Sequence, residues 1–257
     1  MSTEATTKIN QLLQSQPAGI VLQSNWLTSQ GYSLDLQKRY KKSNWFESIG
    51  TGAIIRTGDQ VGYEGGIYAL QKQSGSSVHP AGRTALSFLG KTHYLELSSN
   101  KAVVFGDKNE SLPRWFLKRK WDTKIDYYQS SFLPMDVGLT EVELKNFSIK
   151  VSGAERAMME CLYLAPKKQE LMECLEIMEG LNNMRPNVVQ TLLEKCQSVK
   201  VKRLFLYMAE KCGHEWFQYL DTSKVDLGKG KRSMVINGIY IPKYMITVPK
   251  AVAEYDR

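Results

Sequence analysis

The sequence predicts an α+β protein: an N-terminal winged helix-turn-helix over residues 1–58, then a larger mixed α/β C-terminal domain over residues 59–257. Two observations predict this division. Three short helical patterns occupy residues 4–43, and a glycine-bracketed pair of strand patterns follows them directly. Beyond Asp59, helical and strand-like segments alternate without an internal repeat, which is typical of a mixed domain.

The N-terminal helices are defined by local signals. The first helical pattern covers residues 4–15 and the second covers residues 22–30. Gly31 follows the second pattern, where a sharp turn between two helices requires a positive φ. Ser33 then has the side chain to cap a third helix. The tight turn between the second and third helices predicts a helix-turn-helix.

The third helix separates into two faces on a helical wheel. Leu36, Tyr40 and Ser43 share one face, which we expect to pack inward. The opposite side is polar and basic, and it carries Lys38, Lys41, Lys42 and, flanking them, Gln37. Arg39 lies nearer the edge of the inward face, and Leu34 points outward. Strand-like residues around Gly50 and Gly52 predict a β-hairpin directly behind this helix, which is the wing.

Charge is distributed in patches. The chain carries a formal net charge of +8, and residues 33–58 hold five basic and two acidic side chains. Residues 114–124 hold five basic and one acidic, whereas residues 155–180 hold three basic and six acidic. Charge by itself favours solvated faces. Together with the two-faced helix and the hairpin, it favours an interface for double-stranded DNA.

Residues near the start of the third helix are expected to approach base edges. Asp35, Gln37 and Lys38 are the candidates, with Gln37 suited to adenine and Lys38 to guanine. Lys41, Lys42 and Arg56 are expected to hold phosphates. The full set of predicted DNA-binding residues is Ser33, Asp35, Gln37, Lys38, Arg39, Lys41, Lys42, Thr51 and Arg56.

The C-terminal domain divides into three stretches. Residues 59–150 are mixed α/β, with strand patterns in HYLELS, KAVVFGD, KIDYYQSSF and ELKNFSIKV. Residues 151–215 are helical and open with a capping box, Ser152 to Glu155. Residues 216–257 return to turns and strands, and Asn237-Gly238 is a hairpin signal.

Motifs for catalysis and cofactor binding are missing. The sequence lacks the P-loop, G-x-S-x-G and H-E-x-x-H patterns, so no catalytic residues and no cofactor are predicted. No metal site is predicted, because the only close pair of candidate ligands is Cys212 and His214. The four cysteines are expected to be buried, reduced thiols. His79 and Arg83 could bind an anion, but a capping and core-edge arrangement is the favoured interpretation.

Localisation signals are also missing. No apolar run reaches 18 residues, and the N-terminus has no apolar segment before a cleavage site. A cytoplasmic protein without membrane contact is therefore expected.

Segments spread along the chain resemble one family. They are RYKKSNWFESIGTGAIIRTGD, YEGGIYALQ, VHPAGRTALSFLG, SGAERAMMECLYL, SVKVKRLFLYMAEKCGH and LGKGKRSMVINGIYIPKYMITVP. Their order, over roughly residues 5–249, is similar to that of AbiEi-type antitoxins of type IV toxin–antitoxin (abortive infection) systems. The resemblance implies that the winged helix binds promoter repeats and represses its own operon. It also implies that the C-terminal domain counters a nucleotidyltransferase-type toxin without a stable complex. The family usually has a basic wing residue where Thr51 stands.

The antitoxin activity is assigned to basic residues of the C-terminal domain as a hypothesis. They are Lys200, Lys202 and Arg203 on one helix and Lys229, Lys231 and Arg232 in the GKGKR loop. A solvated face is an equally good interpretation of the helix. Two other functions stay open: a ligand-sensing transcriptional regulator with no toxin partner, and an enzyme acting on nucleic acid, which the missing motifs disfavour.

Overall fold

The computed structural model describes residues 7–91 and 101–255 and has a mixed α+β architecture. Within these ranges the strands form four small sheets and no single large one. No helix in these ranges is long and apolar enough to cross a membrane. The strand predicted for HYLELS, residues 93–98, lies outside the described residues.

The N-terminal unit, residues 7–58, contains three short helices and a three-stranded sheet. Its elements are α1 (Lys8–Ser15), β1 (Leu22–Gln23), α2 (Ser24–Ser29), α3 (Leu34–Lys42), β2 (Phe46–Gly50) and β3 (Ala53–Arg56). Strand β3 lies between β1 and β2 and is antiparallel to both. The second helix starts later than expected, because Leu22 pairs with Ile54 in the sheet.

The cap and turn residues predicted for this unit are present in the structure. The Ser33 hydroxyl accepts a hydrogen bond from the backbone N–H of Leu36 at 3.3 Å, so it caps α3. Gly31 has a φ of +84°, and Gly52, in the β2–β3 turn, has a φ of +86°. Both are left-handed conformations that favour glycine. One small buried cluster lies within this unit, whereas Val21, Ala53 and Ile55 join the main core of the chain. The small cluster consists of Leu12, Ile20, Leu22, Leu27, Phe46 and Ile54.

The mixed part of the C-terminal domain follows. Its elements are α4 (Tyr63–Ser74), β4 (His79–Pro80), α5 (Gly82–Phe88), β5 (Lys101–Gly106), α6 (Arg114–Lys118), β6 (Lys124–Gln129), β7 (Leu139–Glu143) and β8 (Ser148–Ser152). Strands β5 and β6 are parallel, and β4 pairs antiparallel with β5. The strand predicted for ELKNFSIKV is confirmed only in its second half, which is part of β8; residues 144–147 form the β7–β8 turn, where the backbone N–H of Leu144 donates a hydrogen bond to the carbonyl of Phe147.

The helical part packs around two buried helices. Its helices are α7 (Ala154–Leu164), α8 (Leu171–Glu179), α9 (Pro186–Lys195) and α10 (Val199–Lys211). Helices α7 and α10 contribute the largest share of buried residues and contact each other. The tail adds β9 (Arg232–Ser233), β10 (Ile239–Ile241), β11 (Ile246–Val248) and α11 (Lys250–Glu254), with short 3-10 turns between.

Two sequence predictions in this domain are wrong. Ser152 and Glu155 do not form a capping box: the Ser152 hydroxyl donates to Glu160, and the Glu155 carboxylate binds Arg185. A buried carboxylate and a guanidinium outcompete the local cap for these side chains. Asn237-Gly238 does not join a hairpin either, since the flanking strands β9 and β10 each pair with β11 and not with each other.

The N-terminal unit is hydrogen-bonded to the C-terminal domain. The Gln73 side chain of α4 accepts from the backbone N–H of Gln23 at 2.8 Å and donates to the carbonyl of Val21 at 2.9 Å. Gly50 of β2 packs against Trp115 of α6, where a Cβ would lie 3.0 Å from the tryptophan Cβ. These contacts involve β1 and one end of β2, and the outer side of α3 remains exposed.

Candidate nucleic-acid interface

The outer side of α3 presents four cations to solvent. They form the basic face: Lys38, Arg39, Lys41 and Lys42, all exposed. Leu34 lies at the start of the same side with 56% of its surface exposed. Asp35 is also exposed and forms a solvent-exposed ion pair with Lys38 at 3.3 Å. Exposed pairs of this kind are weak, so Lys38 can exchange Asp35 for another acceptor at little cost.

Gln37 corrects the wheel-based prediction. The residue is only 4% exposed, and its Nε2 lies 2.8 Å from the Tyr32 carbonyl and 3.1 Å from the Ser24 carbonyl. The side chain therefore faces α2 and not the solvent, and the expectation that it reads adenine is wrong for this conformation. The inward face of α3 is centred between Gln37 and Tyr40, because α2 packs there. Ser43, which the helical wheel places on the inward face, is exposed instead.

Arg56 is also a structural residue. Its Nη2 donates to the carbonyl of Leu13 at 2.7 Å and to that of Gln16. Both carbonyls lie at the C-terminal end of α1, where backbone acceptors lack helical partners. Arg56 thus ties β3 to α1, and the predicted phosphate contact is not supported by its geometry. Arg39, expected near the core edge, is exposed instead.

The β2–β3 turn lies beside a second basic segment. Thr51, at the tip of the turn, is exposed, and Trp45 at the start of the hairpin is 46% exposed. Gly50 contacts Trp115, so the hairpin lies against α6 and the basic cluster of residues 114–124. Basic side chains therefore occur on both α3 and the segment that supports the hairpin.

The basic helix predicted for antitoxin activity is buried. Lys202 is 4% exposed and Arg203 is fully buried. Lys200 donates to the carbonyls of Tyr163 and Ala165 at 2.7 and 2.5 Å, and burial lowers the pKa of its ammonium group. The prediction that these three residues form a contact surface is wrong. The spacing of these basic residues is typical of a solvated helical face, but α10 packs against the rest of the protein on several sides.

Arg203 organises the GKGKR loop from beneath. Its guanidinium donates to the carbonyls of Leu227 at 2.8 Å, Gly228 at 3.1 Å, Gly230 at 2.7 Å and Met245 at 3.1 Å. A planar guanidinium has enough donors to satisfy all four acceptors. The loop is therefore fixed by a buried cation that is distant in sequence.

The loop carries exposed cations on its outer surface. We call Lys229, Lys231 and Arg232 the loop cations, and all three are exposed. The Lys231 Nζ lies 4.8 Å from the centroid of the Tyr240 ring. Nearby in sequence, Ile236 is 92% exposed. Cations beside exposed apolar side chains are suited to contact with an acidic protein surface or a nucleic acid.

His79 and Arg83 do not share an anion site. The His79 Nε2 lies 3.4 Å from Glu160, whereas Arg83 Nη1 lies 2.6 Å from Glu173. Glu160 also accepts from Arg156 Nε at 2.8 Å. Burial alone would raise the pKa of Glu160, but the hydrogen bond with His79 and the charge of Arg156 hold this pKa below its usual range. The favoured core arrangement is thus confirmed.

All four cysteines are buried, as predicted, and Cys161, Cys174 and Cys196 are free thiols. Burial raises the pKa of the Cys161 thiol to about 12, so this thiol is not a nucleophile at neutral pH. In the described ranges, no group of three or more His, Cys, Asp or Glu residues could hold a metal ion.

Comparison with known proteins identifies two matching family models. Residues 5–97 match "Transcriptional regulator, AbiEi antitoxin N-terminal domain", and residues 99–249 match "Transcriptional regulator, AbiEi antitoxin, Type IV TA system". Among solved structures, the chain is similar to the RV2827C protein from Mycobacterium tuberculosis, with a TM-score of 0.58 and 12% identity over 96% of this chain and 92% of that one. At this identity the likeness concerns the fold alone. A search of curated proteins found no match.

Proposed function

The chain belongs to the AbiEi antitoxin family, the transcriptional regulators of type IV toxin–antitoxin systems, and from this premise we propose that it binds promoter DNA through its N-terminal unit. The unit acts as a winged helix-turn-helix: α3 enters the major groove and the β2–β3 hairpin lies along the adjacent backbone. By occupying repeats in its own promoter, the protein represses its operon.

The basic face of α3 is the observation that supports this proposal most strongly. Four cations project together from one short helix, and Gln37 fixes this helix to α2 through buried hydrogen bonds. A recognition helix needs both properties, because phosphate contacts require charge and base contacts require a rigid orientation.

The proposed roles follow from position on α3. Lys38, with Asp35 and Leu34, reaches base edges near the helix start, where Leu34 suits a thymine methyl group. Lys41 and Lys42 hold phosphates and supply affinity without sequence information. Arg39, Ser33 and Thr51 remain candidate contacts at the edges of the surface.

Fluorescence anisotropy on the protein's own promoter and on scrambled DNA, over a series of salt concentrations, tests the DNA proposal. Lys41→Ala should weaken binding to both DNAs and reduce the salt slope by about one unit, because one phosphate contact is lost. Lys145→Ala is the matched control, since Lys145 is exposed outside the N-terminal unit. Equal affinity and slope for Lys41→Ala and wild type would refute the assignment of α3.

We also propose that the C-terminal domain neutralises a nucleotidyltransferase-type toxin, without a stable complex, through the loop cations. The support is their exposure on a loop whose carbonyls accept hydrogen bonds from Arg203, and the contact of Lys231 with the exposed Tyr240 ring. A loop whose conformation is already fixed loses little conformational entropy when it contacts a partner, which suits repeated transient encounters.

Growth rescue tests this second proposal. The chain is co-expressed with the product of the adjacent gene, and rescue is scored for Lys231→Glu combined with Arg232→Glu. We expect loss of rescue with unchanged promoter binding, whereas Lys195→Glu, an exposed control, should rescue fully. Full rescue by the double variant would exclude the loop. If the adjacent gene product does not arrest growth, a regulator without a toxin partner becomes the better description.

A further inference from the structure

A cavity of about 430 Å³ lies between α6 and β6, apart from the basic face of α3 and the loop cations. Besides Leu112, Leu117, Thr123 and Ile125, its walls combine two kinds of side chain. The aromatic ones are Phe116, Trp121 and Tyr127, and the cationic ones are Arg119, Lys120 and Lys124. The described residues that line it include no Asp or Glu. The cavity is thus both aromatic and positively charged.

The polar atoms of the aromatic wall are already satisfied within the chain. The Trp121 Nε1 donates to the Phe116 carbonyl at 2.9 Å, and the Tyr127 hydroxyl donates to the Glu110 carbonyl at 2.7 Å. The Phe116 and Trp121 rings lie 5.2 Å apart, centroid to centroid. The wall therefore offers fixed ring surfaces to a ligand, and few hydrogen-bonding groups.

Arg119 is the unusual member of the set. Its guanidinium carbon lies 5.1 Å from the centroid of the Trp121 ring. Its Nε is shielded from solvent and has no hydrogen-bond partner in the part of the chain that the structure describes. Buried polar atoms normally have partners, and leaving one unpaired is costly. The guanidinium therefore lies against the Trp121 ring, and its Nε is left without an acceptor among the described residues.

We propose that this cavity binds a free nucleotide, with the base on the aromatic and guanidinium surfaces and the phosphates on Arg119, Lys120 and Lys124. Unstacked bases are commonly recognised by stacking on aromatic rings and on arginine planes. Phosphate oxygens supply the acceptors that a guanidinium requires. A volume of 430 Å³ also falls within the range of about 300–1,000 Å³ that is usual for small-molecule sites.

The other ligand classes match only half of the site. A simple inorganic anion would contact the cationic side chains but not the aromatic rings. An uncharged apolar ligand would cover the rings and leave the buried Arg119 Nε without an acceptor, which is unfavourable. Only a ligand that joins an aromatic ring to a negative group uses both walls.

Isothermal titration calorimetry on the full chain tests the proposal, with ATP as the probe and adenosine, inorganic phosphate and a single-stranded dT oligonucleotide as comparators. We expect saturable ATP binding that is at least tenfold tighter than that of adenosine or phosphate. Arg119→Gln should weaken ATP binding at least tenfold, and Lys124→Gln severalfold. Lys145→Gln, outside the cavity, should bind ATP like wild type.

Several results would overturn the proposal: no saturable ATP binding, phosphate binding as tightly as ATP, oligonucleotide binding without ATP binding, or unchanged ATP affinity in the cavity variants. Lys124 is exposed on β6, so Lys124→Gln keeps the test valid if Arg119→Gln fails to fold. Calorimetry with ATP requires neither promoter nor toxin, so failure here is distinct from failure of the functions proposed above.

Discussion

Gln37→Ala is expected to loosen the N-terminal unit. The Gln37 Nε2 lies 2.8 Å from the Tyr32 carbonyl, 3.1 Å from the Ser24 carbonyl and 3.3 Å from the Thr28 hydroxyl. An amide nitrogen has two hydrogens, so Gln37 donates to two of these three acceptors at any moment. The substitution therefore removes two hydrogen bonds. At about 0.5–1.5 kcal/mol for each bond, the free energy of opening α2 and α3 should fall by about 1–3 kcal/mol.

Hydrogen–deuterium exchange of the α2 and α3 amides measures this change, and anisotropy on promoter and scrambled DNA measures its consequence. Gln37→Ala should speed exchange and weaken binding to both DNAs by the same factor, because it lowers the fraction of molecules in which α3 is closed against α2 and removes no base contact. Lys38→Ala, an exposed control, should leave exchange unchanged. Unchanged exchange in Gln37→Ala, with affinity lost on the promoter only, would show that Gln37 reads a base and that the buried orientation is wrong.

Three further predictions concern the C-terminal domain. Arg203→Met removes the donor to four backbone carbonyls. With charged hydrogen bonds at about 1.5–3 kcal/mol each, we expect the free energy of unfolding, measured in urea, to fall by at least about 3 kcal/mol. A change of less than about 1 kcal/mol would contradict the role of Arg203. The lowered pKa of Glu160 contributes stability at pH values above the ordinary carboxyl pKa of about 4.3, and this stability is lost as pH falls through the lowered value. Glu160→Gln should therefore flatten the pH dependence of the free energy of unfolding below about pH 4. If this pH dependence is unchanged in the variant, Glu160 is not its source. Finally, Cys161 and the other buried thiols should react with a thiol reagent only after unfolding; rapid reaction of the native protein would contradict their burial.

Elements with short-range causes could be predicted from the sequence. Ser33 as a cap and Gly31 as a left-handed turn residue act within a few residues of their partners, and both are confirmed. Helix α9 begins at Pro186, a residue suited to the first helical position, and α10 begins directly after its N-cap, Ser198. These signals locate elements well because nothing distant competes for the same atoms.

Roles that depend on distant partners could not be predicted. Gln37 and Arg203 belong to residue types that are usually exposed, but each is buried and donates hydrogen bonds to backbone carbonyls of other segments. Arg56 is likewise predicted from its charge to contact a phosphate, but its guanidinium donates to a backbone carbonyl at the end of α1. Charge and spacing identify a helix with a basic side, whereas tertiary packing decides which of its residues reach solvent.

The most direct test of the central claim, that α3 lies in the groove of promoter DNA, is cleavage of that DNA by an iron chelate attached at Leu34→Cys. Leu34 is 56% exposed and the native thiols are buried, so the label attaches at the introduced position. We expect strand cuts confined to nucleotides within the promoter repeats, and none from the same chelate at Lys195→Cys. Cuts from Lys195→Cys, with none from Leu34→Cys on promoter DNA that the protein still binds, would contradict it.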